Sequence, residues 1–186
     1  MSTKQNAVIA LVGMCGSGKS VLTQMFEDRG FSKVYFGSLT MEEIAKRGIA
    51  KTPENEKLIR EELREKHGPA AFAICLADRI EALAKEGNVV LDGLYSWSEY
   101  KYLSQRLNVP FYIVAIVTNR GLRYERLSVR TERPLTSEQA YARDVAEIEN
   151  IEKGGPISIA DAYIVNNTSV EDMKAQFDEL LRSLDL

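Results

Sequence analysis

The chain has 186 residues, of which 45% are hydrophobic and 27% are charged, and its formal net charge is −3. This composition is typical of one folded domain with a substantial core. The slightly acidic balance disfavours nucleic acid as a partner, and no apolar stretch approaches the ~20 residues of a membrane span. Two cysteines do not make a disulfide framework. We therefore expect a cytoplasmic protein, monomeric or homodimeric, with no nucleic-acid or membrane partner.

An apolar run followed by a glycine-rich loop opens the chain. Residues 7–12, rich in β-branched side chains, are predicted to form a buried strand, and apolar residues at helical spacing begin at Val21. Between them, residues 13–20 have the pattern G-x-x-x-x-G-K-S of a phosphate-binding loop. Its glycines permit the tight turn that directs backbone N–H groups at phosphate oxygens, in front of a helix N-terminus. This context is the one that the motif requires.

The phosphate loop predicts which residues hold a nucleoside triphosphate. A chance match is expected in roughly 1% of chains of this length, so we interpret the loop as a nucleoside triphosphate site. Lys19 is predicted to contact the β- and γ-phosphates as a catalytic residue, and the Ser20 hydroxyl is predicted to bind Mg²⁺. The predicted nucleotide-binding residues of the loop are Gly13, Cys15, Gly16, Ser17, Gly18, Lys19, Ser20 and Val21.

Strands and helices alternate through the rest of the chain. Further strands are predicted at residues 33–36, 88–92, 111–117 and 162–165. Capping patterns predict helix starts at Thr40, Thr52, Ser96, Thr136 and Ser169, and a further helix over residues 70–86. Alternating strands and helices indicate a parallel sheet covered on both faces. We therefore expect one three-layer α/β domain over residues 1–186.

Asp92 ends the third predicted strand, which reads Val-Val-Leu-Asp. In P-loop proteins an acid at this position lies beside the phosphate loop and holds Mg²⁺. We predict a metal-binding and catalytic role for Asp92. The alternative is an aspartate that forms a turn with Gly93.

The helix predicted to start near Asn119 carries several arginines at spacings of three, three and four, which place them on one face. These residues are Arg120, Arg123, Arg126 and Arg130, and Arg133 follows in the next loop. Phosphoryl transfer needs positive charge around the transferred group, so the cluster predicts a mobile lid over about residues 127–140. The last three arginines are its predicted catalytic residues. The alternative is a solvated basic face paired with nearby acids.

Together these features resemble the nucleoside monophosphate kinase branch of P-loop proteins. The matching stretches are residues 13–20, Asp92-Gly93, the arginine helix, Gly68-Pro69-Ala70-Ala71, Arg143-Asp144 with Glu147, and residues 161–167. The chain most resembles the adenylate-kinase-related proteins often found in archaea and, more distantly, dephospho-CoA kinase. The resemblance implies a five-stranded parallel sheet of order 2-3-1-4-5 and a helical substrate-binding insert over about residues 38–68. It also implies that adenine binds near Arg120 and Asn166.

The resemblance is weaker on the acceptor side of the predicted site. Family members usually carry an arginine after strand two and another after the Asp-Gly of strand three, where this chain has Met41 and Tyr95. Those arginines clamp the acceptor phosphate in the family, and neither Met nor Tyr supplies a bidentate clamp. Arginines of the insert are candidates to replace them. The predicted acceptor-binding residues are therefore Ser38, Arg60, Arg64, Tyr95 and Arg143.

We therefore predict an ATP- and Mg²⁺-dependent phosphotransferase of the nucleoside monophosphate kinase type, acting on a small phosphorylated acceptor. A phosphate acceptor needs no strong general base, because positioning and electrostatic stabilisation supply most of the catalysis. One alternative is a dephospho-CoA kinase-like enzyme that phosphorylates a hydroxyl group with Asp92 as its base. Another is a nucleotide-dependent switch that hydrolyses ATP slowly and acts through a protein partner.

Overall fold

Five parallel strands form one sheet in the computed structural model, which describes residues 5–186. The strands are β1 (Val8–Val12), β2 (Ser32–Tyr35), β3 (Val89–Asp92), β4 (Phe111–Val117) and β5 (Ala162–Val165). Their order in the sheet is β2-β3-β1-β4-β5, and each neighbouring pair is parallel. The predicted α/β fold and its strand order are confirmed.

Helices cover both faces of this sheet. They are α1 (Lys19–Asp28), α2 (Ser38–Arg47), α3 (Pro53–His67), α4 (Ala71–Glu86), α5 (Trp97–Arg106), α6 (Arg120–Val129), α7 (Ser137–Glu149), α8 (Gly154–Ser158) and α9 (Val170–Ser183). Within residues 5–186, none of them is both long and apolar enough to cross a lipid bilayer. The predicted insert covers α2 and α3, and the predicted lid covers the end of α6, the following loop and the start of α7. The functions of both segments stay predictions.

Four of the five predicted helix caps are confirmed, because the side chain of each cap accepts a hydrogen bond from the backbone N–H three residues later. These caps are Thr52, Ser96, Thr136 and Ser169. The predicted start at Thr40 is wrong. The chain already turns at Gly37, which packs so closely on the Tyr35 ring that a Cβ atom would lie 2.3 Å from it. Gly37 already has helical backbone angles, with φ at −65° and ψ at −14°, so α2 begins at Ser38 and Thr40 is buried in its first turn.

The central strand β1 is buried on both faces of the sheet. Val8, Ala10 and Val12 pack in a core with α4 and α5, whereas Ile9 and Leu11 pack in a second core with α1 and α9. Burial of one such aliphatic side chain contributes about 1.5–3 kcal/mol to folding. The two cores therefore hold the carboxyl end of β1, where the phosphate loop begins, in a rigid frame.

Candidate active site

The phosphate loop runs from the end of β1 to the start of α1 and needs glycine at several positions. Gly13, Gly16 and Gly18 have φ angles of 149°, 81° and 99°, a region that other residues rarely adopt. A Cβ atom on Gly18 would lie 2.2 Å from Nδ2 of Asn166. The shape of the loop therefore depends on the φ angles that glycine allows and on close packing against the segment that follows β5.

Side chains at the ends of β4 and β5 hold the carbonyl side of the loop. Asn166 Nδ2 donates to the Ser17 carbonyl oxygen at 2.8 Å, and Thr118 Oγ1 donates to the same oxygen at 3.1 Å. Arg126 Nη1 in turn donates to the Asn166 carbonyl oxygen at 3.1 Å. Asn166 thus lies beside the loop, and Arg126, a predicted catalytic residue, contacts the backbone behind it.

Lys19 folds its side chain back along the loop. Its Nζ donates to the carbonyl oxygens of Gly13 and Met14 at 2.6 and 3.1 Å. Desolvation, aided by the nearby ammonium group of Lys153, lowers the pKa of Lys19 to about 8, although Glu147 and other acids oppose the shift. Lys19 is therefore mainly protonated at neutral pH, and an anionic ligand would interact with it strongly.

The two predicted metal ligands lie on adjacent elements. Ser20 is an exposed residue in the first turn of α1, and Asp92 ends β3, where it pairs with Leu11 of β1. Burial raises the pKa of the Asp92 carboxyl group, against the attraction of Lys19. Within residues 5–186, no three His, Cys, Asp or Glu side chains form a metal-binding group by themselves. Mg²⁺ at kinase sites is commonly held by one or two carboxylates together with substrate phosphates, and Ser20 and Asp92 fit that type of site.

A cluster of charges from α7 and the segment after it reaches the loop, and we name Arg143, Glu147 and Lys153 the α7 charge cluster. Glu147 Oε2 accepts hydrogen bonds from the Cys15 backbone N–H at 3.2 Å and pairs with Lys153 Nζ at 2.7 Å. Arg143 Nε pairs with Glu147 Oε1 at 3.2 Å. Lys153 is only 2% exposed, and its ammonium group lies 4.6 Å from the centre of the Tyr95 ring. The sequence patterns predicted no role for Lys153, because nothing in its local spacing marks it.

Arg123 has a structural role in the arginine helix. Its guanidinium group forms a bidentate pair with the Asp144 carboxylate at 2.9 and 2.6 Å and also donates to the Cys15 carbonyl oxygen at 3.0 Å. Both side chains are buried, so the pair connects α6, α7 and the phosphate loop. The remaining arginines diverge: Arg120 is exposed at the start of α6, whereas Arg126 lies against Asn166.

The lid and the insert meet at the buried carboxylate of Glu56 on α3. Arg133 donates to both oxygens of this group at 2.8 and 3.3 Å, and Arg60 pairs with it at 3.5 Å. Arg130 Nε donates to the Arg133 carbonyl oxygen. Arg133, predicted from the lid, and Arg60, predicted from the insert, therefore converge on one acid that the sequence analysis did not identify. The catalytic roles of Arg130 and Arg133 stay predictions.

The other predicted acceptor residues are Arg64 on α3, Tyr95 just before α5 and Ser38 at the start of α2. The Tyr95 backbone N–H donates to Glu99 at 2.8 Å, and Glu99 attracts Arg64, whose guanidinium group lies 5.4 Å from the centre of the Phe72 ring. Burial lowers the pKa of Arg64. On α2, the Ser38 hydroxyl is buried with no hydrogen-bond partner in the described part of the chain. The roles of these three residues in acceptor binding stay predictions.

Comparison with known proteins identifies the relatives of this chain. A family profile described as an AAA domain (AAA_18) matches residues 9–152. A UPF0200 protein of Pyrococcus abyssi is 35% identical over 181 residues, which cover 95% of this chain and 96% of the relative. A UPF0200 protein of Thermococcus kodakarensis is 36% identical over 180 residues, with 94% and 96% covered.

Solved structures share the fold at low sequence identity. TT1252 from Thermus thermophilus has a TM-score of 0.64 at 20% identity, and the match covers 97% of this chain and 99% of that one. Shikimate kinase from Bacteroides thetaiotaomicron has a TM-score of 0.60 at 14% identity (97% and 99% covered), and dephospho-CoA kinase from Campylobacter jejuni has 0.57 at 16% (97% of each). The predicted resemblance to P-loop kinases is confirmed. The chain therefore belongs to the AAA-domain family AAA_18 and to the UPF0200 proteins, and it has the fold of P-loop small-molecule kinases.

Proposed function

We propose that the protein transfers the γ-phosphate of ATP, with Mg²⁺, to the phosphate group of a small acceptor, as nucleoside monophosphate kinases do. The observation that carries the proposal is the surplus of positive charge at the phosphate loop. Lys19 donates hydrogen bonds to loop carbonyl oxygens, and Lys153 and Arg143 add two further cations, whereas Glu147 and Asp92 supply two carboxylates. A polyanion is the ligand that such a site favours.

The groups inside the loop also fit a phosphate ligand. The Ser17 hydroxyl is buried with no hydrogen-bond partner in the described part of the chain, so it has a proton to donate. In the proposal the loop N–H groups and Lys19 hold the β- and γ-phosphates, and Ser20 and Asp92 hold Mg²⁺, which neutralises phosphate charge when bound. Arg126, Arg130 and Arg133 of α6 and the lid neutralise the transferred group when the lid closes.

A phosphate acceptor agrees with the acids present near the loop. Burial opposes ionisation of Glu147, but Lys153 and Arg143 outweigh it and hold the pKa of this carboxyl group below its ordinary value. Glu147 is therefore a weak base. Because a phosphate acceptor is already ionised, transfer to it requires positioning and charge stabilisation rather than proton abstraction.

One observation favours a hydroxyl acceptor as a second candidate. Burial raises the pKa of the Asp92 carboxyl group, which makes it a stronger base than an exposed aspartate. Asp92 pairs with Leu11 of β1, just before the phosphate loop, so it is our candidate to remove a proton from a hydroxyl nucleophile. This candidate corresponds to the reaction type of the similar dephospho-CoA and shikimate kinases.

Transfer of labelled γ-phosphate to a panel of acceptors tests the proposal. The panel contains nucleoside and deoxynucleoside monophosphates, dephospho-CoA and free nucleosides. We expect a labelled monophosphate product, and we expect Lys19→Ala to reduce its formation at least ~100-fold because a charge-assisted contact to the phosphates is lost. Lys85→Ala, at an exposed position in the last turn of α4, is the matched control and leaves transfer unchanged.

Two results would contradict the proposed reaction. Transfer that survives Lys19→Ala would show that the phosphate loop is not the site. Label that appears only as free phosphate across the whole panel would instead support the nucleotide-dependent switch, and label on a hydroxyl acceptor would support the second candidate.

A further inference from the structure

The Glu147 carboxylate occupies a position on the phosphate loop that suits an external anion. Its Oε2 atom has two donors, the Cys15 backbone N–H at 3.2 Å and Lys153 Nζ at 2.7 Å, and its Oε1 atom faces Arg143 Nε at 3.2 Å. A loop amide, an ammonium group and a guanidinium group together form the donor set that binds a phosphate oxygen. The chain therefore fills this position with one of its own acids.

This position lies at the terminal-phosphate end of the loop. The amides at the start of α1 are the ones that cradle the α- and β-phosphates in such loops. Cys15 precedes them and follows Gly13 and Met14, whose carbonyl oxygens hold the Lys19 ammonium group. Since Lys19 serves the β- and γ-phosphates, an anion on the Cys15 amide corresponds to the terminal phosphate. A carboxylate and a terminal phosphate repel each other and cannot share these donors.

Lys153 makes the departure of Glu147 depend on a replacement anion. Lys153 is 2% exposed, and its ammonium group contacts the Glu147 carboxylate and the face of the Tyr95 ring. An ammonium group buried beside Lys19 without an anion is strongly disfavoured. If Glu147 leaves, the incoming phosphate must take its place beside Lys153. Exchange of the two anions is therefore coupled.

We propose that Glu147 is a stand-in for the terminal phosphate of the nucleotide, that ATP displaces it from the Cys15 amide, and that Lys153 then binds the phosphoryl group to be transferred. ADP lacks that phosphate and leaves Glu147 in place. The proposal rests on the proposed function only in requiring nucleotide binding at the loop. Arg143 lies one turn before Glu147 on α7, so the exchange also frees Arg143 for the phosphate.

Calorimetry measures the affinity of the protein for ADP and for a β,γ-imido analogue of ATP, both with Mg²⁺. The difference between the two affinities tests the exchange of anions. Glu147→Gln keeps the shape and an acceptor for the Cys15 amide but removes the competing charge. We expect it to strengthen binding of the ATP analogue about tenfold while ADP affinity changes less than about twofold. Glu149→Gln, on an exposed position of the same helix, is the matched control and changes neither affinity.

Lys153→Met provides the reciprocal test, because it keeps the buried aliphatic volume and removes the charge. We expect it to weaken the ATP analogue at least about tenfold and ADP little. If Lys153→Met alone fails to fold, it is combined with Glu147→Gln. The double variant removes both charges of the pair and so leaves neither charge buried without its partner. It should lack the tenfold gain of Glu147→Gln alone.

Equal changes in both affinities, including no change, would overturn the inference, because a purely structural ion pair does not distinguish the two nucleotides. These measurements need no acceptor. The inference can therefore fail while phosphate transfer persists, and absence of transfer leaves the binding comparison intact.

Discussion

Buried contacts hold the phosphate loop, whereas the insert and the lid meet through a partly exposed ion pair. In the Arg123–Asp144 pair, which anchors the loop, the two side chains are 7% and 10% exposed. In the Arg133–Glu56 pair between lid and insert, the arginine is 62% exposed and the glutamate 6%. The difference indicates a preorganised phosphate loop and a contact between α3 and the α6–α7 loop that breaks at little cost, which the proposed lid would require.

Hydrogen bonding differs between the carbonyl groups of the loop and the hydroxyl groups of α2. The carbonyl side of the loop is satisfied by Asn166 and Thr118, whereas α2 buries the hydroxyl groups of Ser38 and Thr40 without partners in the described part of the chain. An unsatisfied buried hydroxyl costs stability until a ligand or water supplies a partner. Because the Ser17 hydroxyl of the phosphate loop lacks a partner in the described residues too, a bound molecule would complete both regions.

Removal of the buried pair should have the largest effect on folding. Arg123→Ala leaves the buried Asp144 carboxylate with the Tyr124 hydroxyl but without its cationic partner, and it takes a donor from the Cys15 carbonyl oxygen. We expect the free energy of unfolding to fall by about 3–5 kcal/mol. Urea denaturation followed by circular dichroism measures this loss. A loss below about 1 kcal/mol would show that the pair behaves like a surface contact.

Nucleotide affinity should depend on pH through Lys19. Desolvation, aided by Lys153, lowers the pKa of this residue in the free protein to about 8, and bound phosphate favours the ammonium form and so raises it again. Affinity should therefore be constant below pH 8 and fall above it by up to about tenfold per pH unit. Calorimetry in two buffers of different ionisation enthalpy should also show proton uptake above pH 8. Affinity that rises with pH in this range would contradict the assignment.

Removal of the lid–insert pair should have the smallest effect on folding. Arg133→Ala leaves Glu56 paired with Arg60, so we expect the free energy of unfolding to change by less than about 1 kcal/mol. Amide hydrogen exchange in the loop between α6 and α7 should become faster, because that loop loses its contact with α3. A loss of stability equal to that of Arg123→Ala would remove the contrast between the two sides.

Local sequence patterns determined most of the framework. The bounds of β4 and β5 agree with the apolar runs at residues 111–117 and 162–165, and the caps at Ser96 and Ser169 agree with their four-residue patterns. The phosphate loop could also be predicted from the sequence, because its glycines, lysine and serine lie within eight consecutive residues. These features depend on neighbours along the chain, which a sequence displays directly.

Tertiary structure alone decided which charged residues meet at the loop. Glu147 reaches the Cys15 amide across 132 residues of sequence. Arg123 pairs with Asp144, although its spacing along α6 places it on one face with the other arginines. No local sequence pattern marks Lys153 or Glu56. Each is nevertheless buried and pairs with a charged residue of an element that the sequence did predict. Such contacts follow from how α7 and α3 pack against the rest of the fold. Electrostatic pairing depends on distance in space, and sequence spacing does not encode that distance beyond one or two helical turns.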